Sequence, residues 1–359
     1  MYIRSMKNIY LQLLEHRSDI SSLVLATVTR THGSTPQKPG SSALFDKNGL
    51  ISGTVGGGVV EGRVQKLAHE AIATKKSGHF RFNLANNISN KEEAICGGQI
   101  SVLVDANLQN YLSVFEQLEQ SINNHIPGVL VTMVTGLLKD TVLINRYWMS
   151  KSYNPPIPEE FLEKIEPAVS EMLLRGDPSD YREMILQIPD EEPSSLFFLE
   201  PVLPREQLVI AGAGHIGRAL AHLADLLDFE ITIIDDRSEY ANSANIPEAD
   251  HIIVDDIGES LKKLKKYNDT YVVIVTRGHK DDAAALKPCI GSVLAYTGMI
   301  GSVNEIASMR VNFIENGWAT AEQWDTVHTP VGLDIKSRTV EEIAVSIAAQ
   351  LVLVRNSKK

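Results

Sequence analysis

Cysteine is scarce in this sequence: Cys96 and Cys289 are the two among 359 residues. They form no CxxC pair and supply no disulfide framework, so a disulfide-stapled secreted fold is not expected. Long apolar runs are missing as well. Nothing approaches the roughly 18 consecutive apolar residues that a membrane helix needs. The opening MYIRSMKNIYLQLLEHRSD lacks the unbroken apolar stretch of a secretion signal, which makes a reducing, cytoplasmic location the expectation. A basic excess is also absent: 34 Lys and Arg stand against 45 Asp and Glu, a formal net charge of −11, with the two signs interspersed. That argues against a nucleic-acid partner, whose phosphates require a basic face. A small anionic ligand stays compatible with this charge, because a glycine loop binds one locally whatever the global sign.

What is present is ordinary globular material, 43% hydrophobic and 22% charged, in a length that suits two domains. The first half reads as a mixed α/β (α+β) domain. An amphipathic helix is predicted over Met6 to Glu15 and a strand over LVLATVTR, Leu23 to Arg30. A hairpin turns at Asn48-Gly49. A long helix follows the triple glycine Gly56-Gly57-Gly58, with Glu61 in its first turn and Gly78 after its end. Further strands are expected at HFRFNL, QISVLVD, GVLVTMVTG and DTVLINRYWM, with helices over Gln109 to Gln120 and after Pro158. The stretch FLEPVLPREQ, Phe198 to Gln207, carries two prolines and charges between apolar segments and reads as the boundary, placing the domains at residues 1–203 and 204–359. Beyond it short apolar runs alternate with helical segments, the pattern of a Rossmann-like doubly wound parallel sheet.

GAGHIG, Gly212 to Gly217, follows a strand and opens a helix, and Asp235 stands 18 residues beyond Gly217 at the end of the next strand. In that context Gly212 permits a tight turn, Gly214 lets a phosphate approach, and Gly217 lets the helix pack on the sheet. Asp235, with Asp236 as its neighbour and alternative, is placed to accept bonds from ribose hydroxyls. This favours NAD over NADP, a preference that Arg237 softens. The other reading is a Rossmann-like fold whose pocket serves something else. His215, His279 and His328 fall at or near strand ends. Each reads as a hydrogen-bonded loop residue or as a phosphate or pterin contact, and with Asp281 or Asp282 as an acid–base group. Their spacing carries no metal signature, and no metal site is expected. Gly298, in YTGMIGS, reads equally as a ligand entry point and as a tight strand-to-helix connection.

For Gly56, Gly57 and Gly58 two accounts stand side by side: close packing of a strand end on a helix, or a phosphate or pterin site built from backbone N–H groups. Glu61 reads first as a charge complementing the helix dipole and second as a ligand contact. Cys96, followed by Gly97 and Gly98, is either a small buried hydrophobe or a thiolate favoured by exposed N–H groups.

Taken together, GSTPQKPGSSALFDKNGLISGTVGGGVVE, CGGQISVLVD, LVIAGAGHIGRALAHLA, TRGHKDDAAAL, YTGMIGS and HTPVGLDI resemble the XdhC/CoxI family in order and across both halves. These are accessory proteins of xanthine dehydrogenase, carbon monoxide dehydrogenase and related molybdenum hydroxylases. The resemblance implies a chaperone that binds molybdenum cofactor (molybdopterin), supports its sulfuration and helps insert it into a hydroxylase of the xanthine dehydrogenase type. It further implies a role in purine catabolism, a cysteine desulfurase as second partner, a homodimer, and no net reaction of its own. An NAD(P)-dependent oxidoreductase and a dinucleotide-sensing regulatory module are the alternatives. Gly56, Gly57, Gly58, Glu61, Cys96, Gly97 and Gly98 lie in the family's N-terminal motifs, with Cys96 and Glu61 as the chemically active candidates. Many relatives carry cysteine directly after the triple glycine, where this chain has Val59. The expectation is that both glycine loops grip one cofactor, or two adjacent ligands, in a shared cleft.

Overall fold

A computed structural model describes residues 8–84, 98–136, 141–151, 153, 155–187 and 195–357. The chain divides into two compact units, Met6–Pro204 and Arg205–Lys359. No helix among the described residues is long and apolar enough to cross a membrane.

The N-terminal unit runs α1 (Ile9–Glu15), β1 (Val24–His32), β2 (Ser42–Asp46), β3 (Gly49–Gly53), α2 (Gly58–Thr74), β4 (Gly78–Asn83), β5 (Gln99–Asp105), α3 (Leu112–Asn123), β6 (Gly128–Thr135), β7 (Leu143–Ser150), α4 (Glu159–Arg175), β8 (Arg182–Leu186) and β9 (Ser195–Val202). The strands form two antiparallel sheets, ordered β3-β2-β1-β5-β4 and β7-β6-β9-β8. Side chains alternate across each strand, so each sheet has two faces to bury. On the first sheet Val24, Ala26, Val28, Phe45, Val102 and Val104 take Val60, Val64, Ala68 and Ala71 of α2. On the second, Val129, Val131, Phe197 and Leu199 take Phe161, Ile165, Val169 and Met172 of α4. The remaining faces meet through Leu103, Val134, Ile144, Leu196 and Phe198. The order is thus α2, sheet, sheet, α4, with α1 and α3 packed against both sheets through Leu25, Leu44, Leu130 and Trp148.

The stretch read as a boundary is in part a strand: β9 runs through Pro201 to Val202 and pairs with β6 along its length. Pro201 is tolerated because β8 pairs with β9 only as far as Leu199, leaving no ladder partner on that side to be denied an N–H.

The C-terminal unit runs β10 (Gln207–Ala211), α5 (His215–Leu226), β11 (Glu230–Ile234), β12 (His251–Ile253), α6 (Ile257–Lys263), β13 (Thr270–Ile274), α7 (His279–Leu286), β14 (Tyr296–Met299), α8 (Val303–Glu315), α9 (Ala321–Asp325) and α10 (Val340–Ser357). All pairs are parallel, in the order β12-β11-β10-β13-β14, with a core on each face. This is the doubly wound sheet expected from the alternation of apolar runs and helices. Its strand order reverses beside β10, where the glycine loop begins.

Candidate functional site

The triple glycine joins β3 to α2, and all three residues have positive φ: +128° at Gly56, +62° at Gly57 and +51° at Gly58. Only glycine takes such a run without strain. The three nevertheless do different work. A Cβ on Gly56 would lie 2.8 Å from Pro36 Cγ, so Gly56 is a close-packing glycine. Among the described residues a Cβ on Gly57 or Gly58 would meet nothing within 4 Å, so their backbone borders open space there. Gly57 is the N-cap of α2 and supplies no side-chain cap. The first-turn N–H groups of a helix lack a carbonyl one turn back, and the macrodipole makes that end positive. The arrangement suits an anionic group.

A short relay fixes this loop. The Gly56 N–H donates to Thr54 Oγ1 at 3.2 Å, and the Thr54 hydroxyl donates to Glu61 Oε2 at 3.0 Å. Glu61 therefore turns back from the first turn of α2 to brace the loop. Thr54 went unnoticed in the sequence, although a threonine two residues before a loop N–H is a recurrent local turn signal.

The polar segment after β1 connects two motifs far apart in sequence. Pro36 packs on Gly56, while a Cβ on Gly98 would lie 2.4 Å from the Ser34 carbonyl oxygen and 2.6 Å from that of His32. Gly98 thus has a packing reason to be glycine. Cys96 and Gly97 lie outside the described residues. Cys289 is buried, with its thiol pushed up to about 12 by that burial, and is an inert core residue.

In the C-terminal unit the loop after β10 divides its labour similarly. Gly212 has φ +120°, and a Cβ there would lie 2.4 Å from the Val275 carbonyl oxygen. A Cβ on Gly217 would lie 1.9 Å from the Gly212 carbonyl oxygen, so α5 can approach the loop only with glycine there. Gly214 caps α5, and a Cβ on it would meet nothing within 4 Å. The exposed His215 opens the helix beside it.

Asp235 is buried at the end of β11, and its carboxylate is occupied by its own surroundings. It accepts from the Ala213 N–H at 2.8 Å, from the Arg237 N–H at 3.0 Å, and from the Arg237 guanidinium at 2.8 Å on each oxygen. Burial pushes its pKa up, but the bonds from Arg237 and Ala213 outweigh that and hold it below the usual carboxylate range. This geometry clamps the glycine loop to β11 and leaves the ribose-binding role to a carboxylate that would first have to release these partners. Arg237 also lies over the Tyr240 ring at 4.2 Å. The neighbouring Asp236 pairs with Arg277 at 3.0 Å.

The remaining candidates are dispersed. His328 stacks on Tyr296 with ring centroids 4.6 Å apart, and burial lowers its pKa. Gly298 is closely packed within β14, where a Cβ would lie 2.4 Å from the Tyr296 hydroxyl oxygen and 2.6 Å from Val331 Cγ2. His279 begins α7. Asp281 pairs with Arg277, and Asp282 accepts from the Thr276 hydroxyl at 2.6 Å, so both carboxylates brace the loop before α7. Among the described residues no group of three or more His, Cys, Asp or Glu is arranged to hold a metal ion.

Two family models match the chain. The XdhC and CoxI family covers residues 18–83, which include the triple glycine, and the XdhC Rossmann domain covers residues 208–351. The chain is 25% identical over 354 residues to a probable xanthine dehydrogenase subunit of Bacillus subtilis strain 168, covering 98% of each. It is 22% identical over 351 residues to the uncharacterized protein YqeB of Escherichia coli K12, covering 98% of this chain and 47% of that one. A crystal structure of a xanthine dehydrogenase from Bacillus halodurans superposes with a TM-score of 0.69 at 25% identity, covering 98% of this chain and 96% of the other. The glycine loops, their contexts and these matches agree: the chain belongs to the XdhC and CoxI family.

Proposed function

We propose that this protein is an accessory factor of a xanthine dehydrogenase-type molybdenum hydroxylase, and that its cargo is molybdenum cofactor. The observation that carries this reading is the triple-glycine loop at the start of α2, where Gly57 and Gly58 border open space within the span matched by the family model. The cargo is a pterin with a terminal phosphate and a dithiolene that must be kept from oxidation. Backbone N–H groups at Gly57, Gly58 and Val59 would receive its anionic end, and the Thr54–Glu61 brace would keep those groups aimed. Glu61 acts here as a positioning residue. The names of the relatives support xanthine dehydrogenase as the client. A cysteine desulfurase as sulfur donor, with Cys96 as the carrier thiol, a homodimeric state and a cytoplasmic setting in purine catabolism complete the proposal.

A second reading concerns the C-terminal unit. The open backbone at Gly214, flanked by the two packed glycines, favours a dinucleotide or similar phosphate at α5. The occupied Asp235 carboxylate speaks against ribose discrimination by that residue.

Anaerobic purification from cofactor-producing cells, followed by oxidation, tests the main reading. Stoichiometric pterin fluorescence is expected. Its absence, with the hydroxylase gene present and the client still apo, contradicts a cargo role.

A further inference from the structure

We propose a second anion site in the N-terminal unit, at the Arg30–Ser101–Arg81 rung of the first sheet, which binds the terminal phosphoryl group of a small phosphomonoester. The site is separate from the glycine loop and does not depend on what that loop carries.

The register builds it. On β1, Val28 pairs with Val102, and the next paired residue is Arg30, opposite Ser101; Thr29 is the extra residue of a β-bulge. Without the bulge, Arg30 would pair with Ile100 and point into the core beneath α2, where Ile100 is fully buried. The bulge instead re-aims Arg30 to the face of Ser101. On the other side of β5, Arg81 of β4 is also opposite Ser101. Residues directly paired across strands share a face. Two arginines therefore flank one small serine across three adjacent strands. One rung along, His32 pairs with Gln99 on the same face.

The result is a cavity of about 220 Å³ lined by Arg30, Thr31, His32, Arg81, Gln99 and Ser101. Every lining residue is polar, and none is a carboxylate. Arg30 is held in place by Glu183 of β8, which accepts from both Nε, at 2.7 Å, and a terminal guanidinium nitrogen. That pairing uses one edge of the fork and leaves other N–H groups unengaged. Neither Arg81 nor His32 has a carboxylate partner among the described residues. In a chain of net charge −11, an unpaired Arg81 facing the free edge of the Glu183-bound Arg30 across a notch is a specific feature. Burial depresses the pKa of the adjacent His79; Glu183 opposes that, and Arg30 and Arg81 add to it.

Planar guanidinium forks match tetrahedral oxyanions through paired, charge-assisted hydrogen bonds. The Ser101 position leaves the gap between them, and His32 and Gln99 add donors along it. The cavity is larger than a lone phosphate and leaves room for the alkyl part of an ester.

Calorimetric titration of the full chain at low ionic strength tests this, with glycerol 3-phosphate and inorganic phosphate as probes. Saturable binding of the ester, at least as tight as that of the free ion, is expected. R81Q should weaken it by about tenfold or more, the worth of a charged hydrogen bond, and H32E should abolish it. Both side chains are exposed, so folding should be retained, with circular dichroism as the check. R175Q, on the far helix α4, and V59D, at the glycine loop, should leave binding unchanged. Four results would overturn the site: no saturable ester binding, wild-type affinity in both R81Q and H32E, binding of the free ion with exclusion of the ester, or loss of ester binding in V59D.

Discussion

Thr54 stands between Gly56 and Glu61, accepting from the N–H of one and donating to the carboxylate of the other. The loop that exposes Gly57 and Gly58 is therefore held by side chains that flank it, and not by the glycines themselves. Thr54→Val keeps the shape and removes both bonds. It should cost about 1–3 kcal/mol of stability, the combined net worth of two such bonds, and weaken cargo capture. Denaturant midpoints and a binding titration check this. Wild-type values for both would show that the brace is incidental.

Gly214 and Gly217 of GAGHIG should respond differently to the same substitution. Gly217→Ala would force a Cβ to 1.9 Å from the Gly212 carbonyl oxygen, a backbone atom that cannot swing away. Overpacking of this kind costs about 1–3 kcal/mol or more. Gly214→Ala enters open space at φ −70°, an ordinary value, and should leave the melting temperature nearly unchanged while impeding any phosphate that approaches α5. Comparable melting temperatures for the two variants would contradict the division of roles.

Asp235→Ala should destabilise the C-terminal unit, because it leaves the Ala213 N–H and the Arg237 guanidinium without their acceptor. A loss of about 1–3 kcal/mol is expected. Asp236→Ala, at the exposed neighbour, should cost much less. Chemical denaturation of both variants decides whether Asp235 is a clamp or a free ligand contact.

A pH dependence is built into the space between the two antiparallel sheets. Tyr10 donates to Glu200 at 2.5 Å, and Arg146 pairs with Asp105 at 3.2 Å nearby. Glu200 lines a small chamber of mixed character with Thr27, Thr29, Thr132, Arg146 and Tyr181 beside Leu103 and Phe198. Burial raises its pKa to about 7, against the lowering effects of Tyr10 and Arg146. Tyr10 itself, raised well above its ordinary value chiefly by burial, remains a donor. A folded pKa above the unfolded one means that the native state binds the proton more readily. The stability from this group is complete below about pH 4.3, the unfolded value, and declines as pH rises toward 7. Glu200→Gln should remove that decline, so the difference between variant and parent should grow in the variant's favour from pH ~5 to ~8. A pH-independent difference in urea unfolding would rule out this titration.

The Rossmann-like unit was legible because two strong local signals coincide there: buried parallel strands leave continuous apolar runs, and three glycines occupy fixed offsets after the first of them. The N-terminal unit was legible in its strands and in α2 but less so in their limits. Strand β8 was missed, since Arg182 and Glu183 in it break the apolar pattern and are satisfied by ion pairs, Arg182 with Asp180 and Glu171 and Glu183 with Arg30 of the other sheet. Strand β9 ran on through Pro201 because its second edge is unpaired there, a tertiary circumstance that sequence does not display. The glycine offsets pointed to GAGHIG, yet Asp235 required coordinates: a carboxylate at that offset serves a ribose or its own loop, and the nearby Arg237 decides. The bulge at Thr29 is likewise a matter of pairing, invisible in the alternation of VLATVTRTH.

The central claim, that the loop opening α2 receives an anionic pterin, is tested most directly at Val59. V59D places a negative charge in the first turn of a helix, where it complements the dipole and should not impair folding. Backbone strain does not enter, as it would at Gly57. Fluorescence titration of the folded parent and variant with molybdopterin under anaerobic conditions should give saturable binding by the parent and an affinity reduced about tenfold or more in V59D, because the new carboxylate repels the anionic group. Equal affinities would contradict the account.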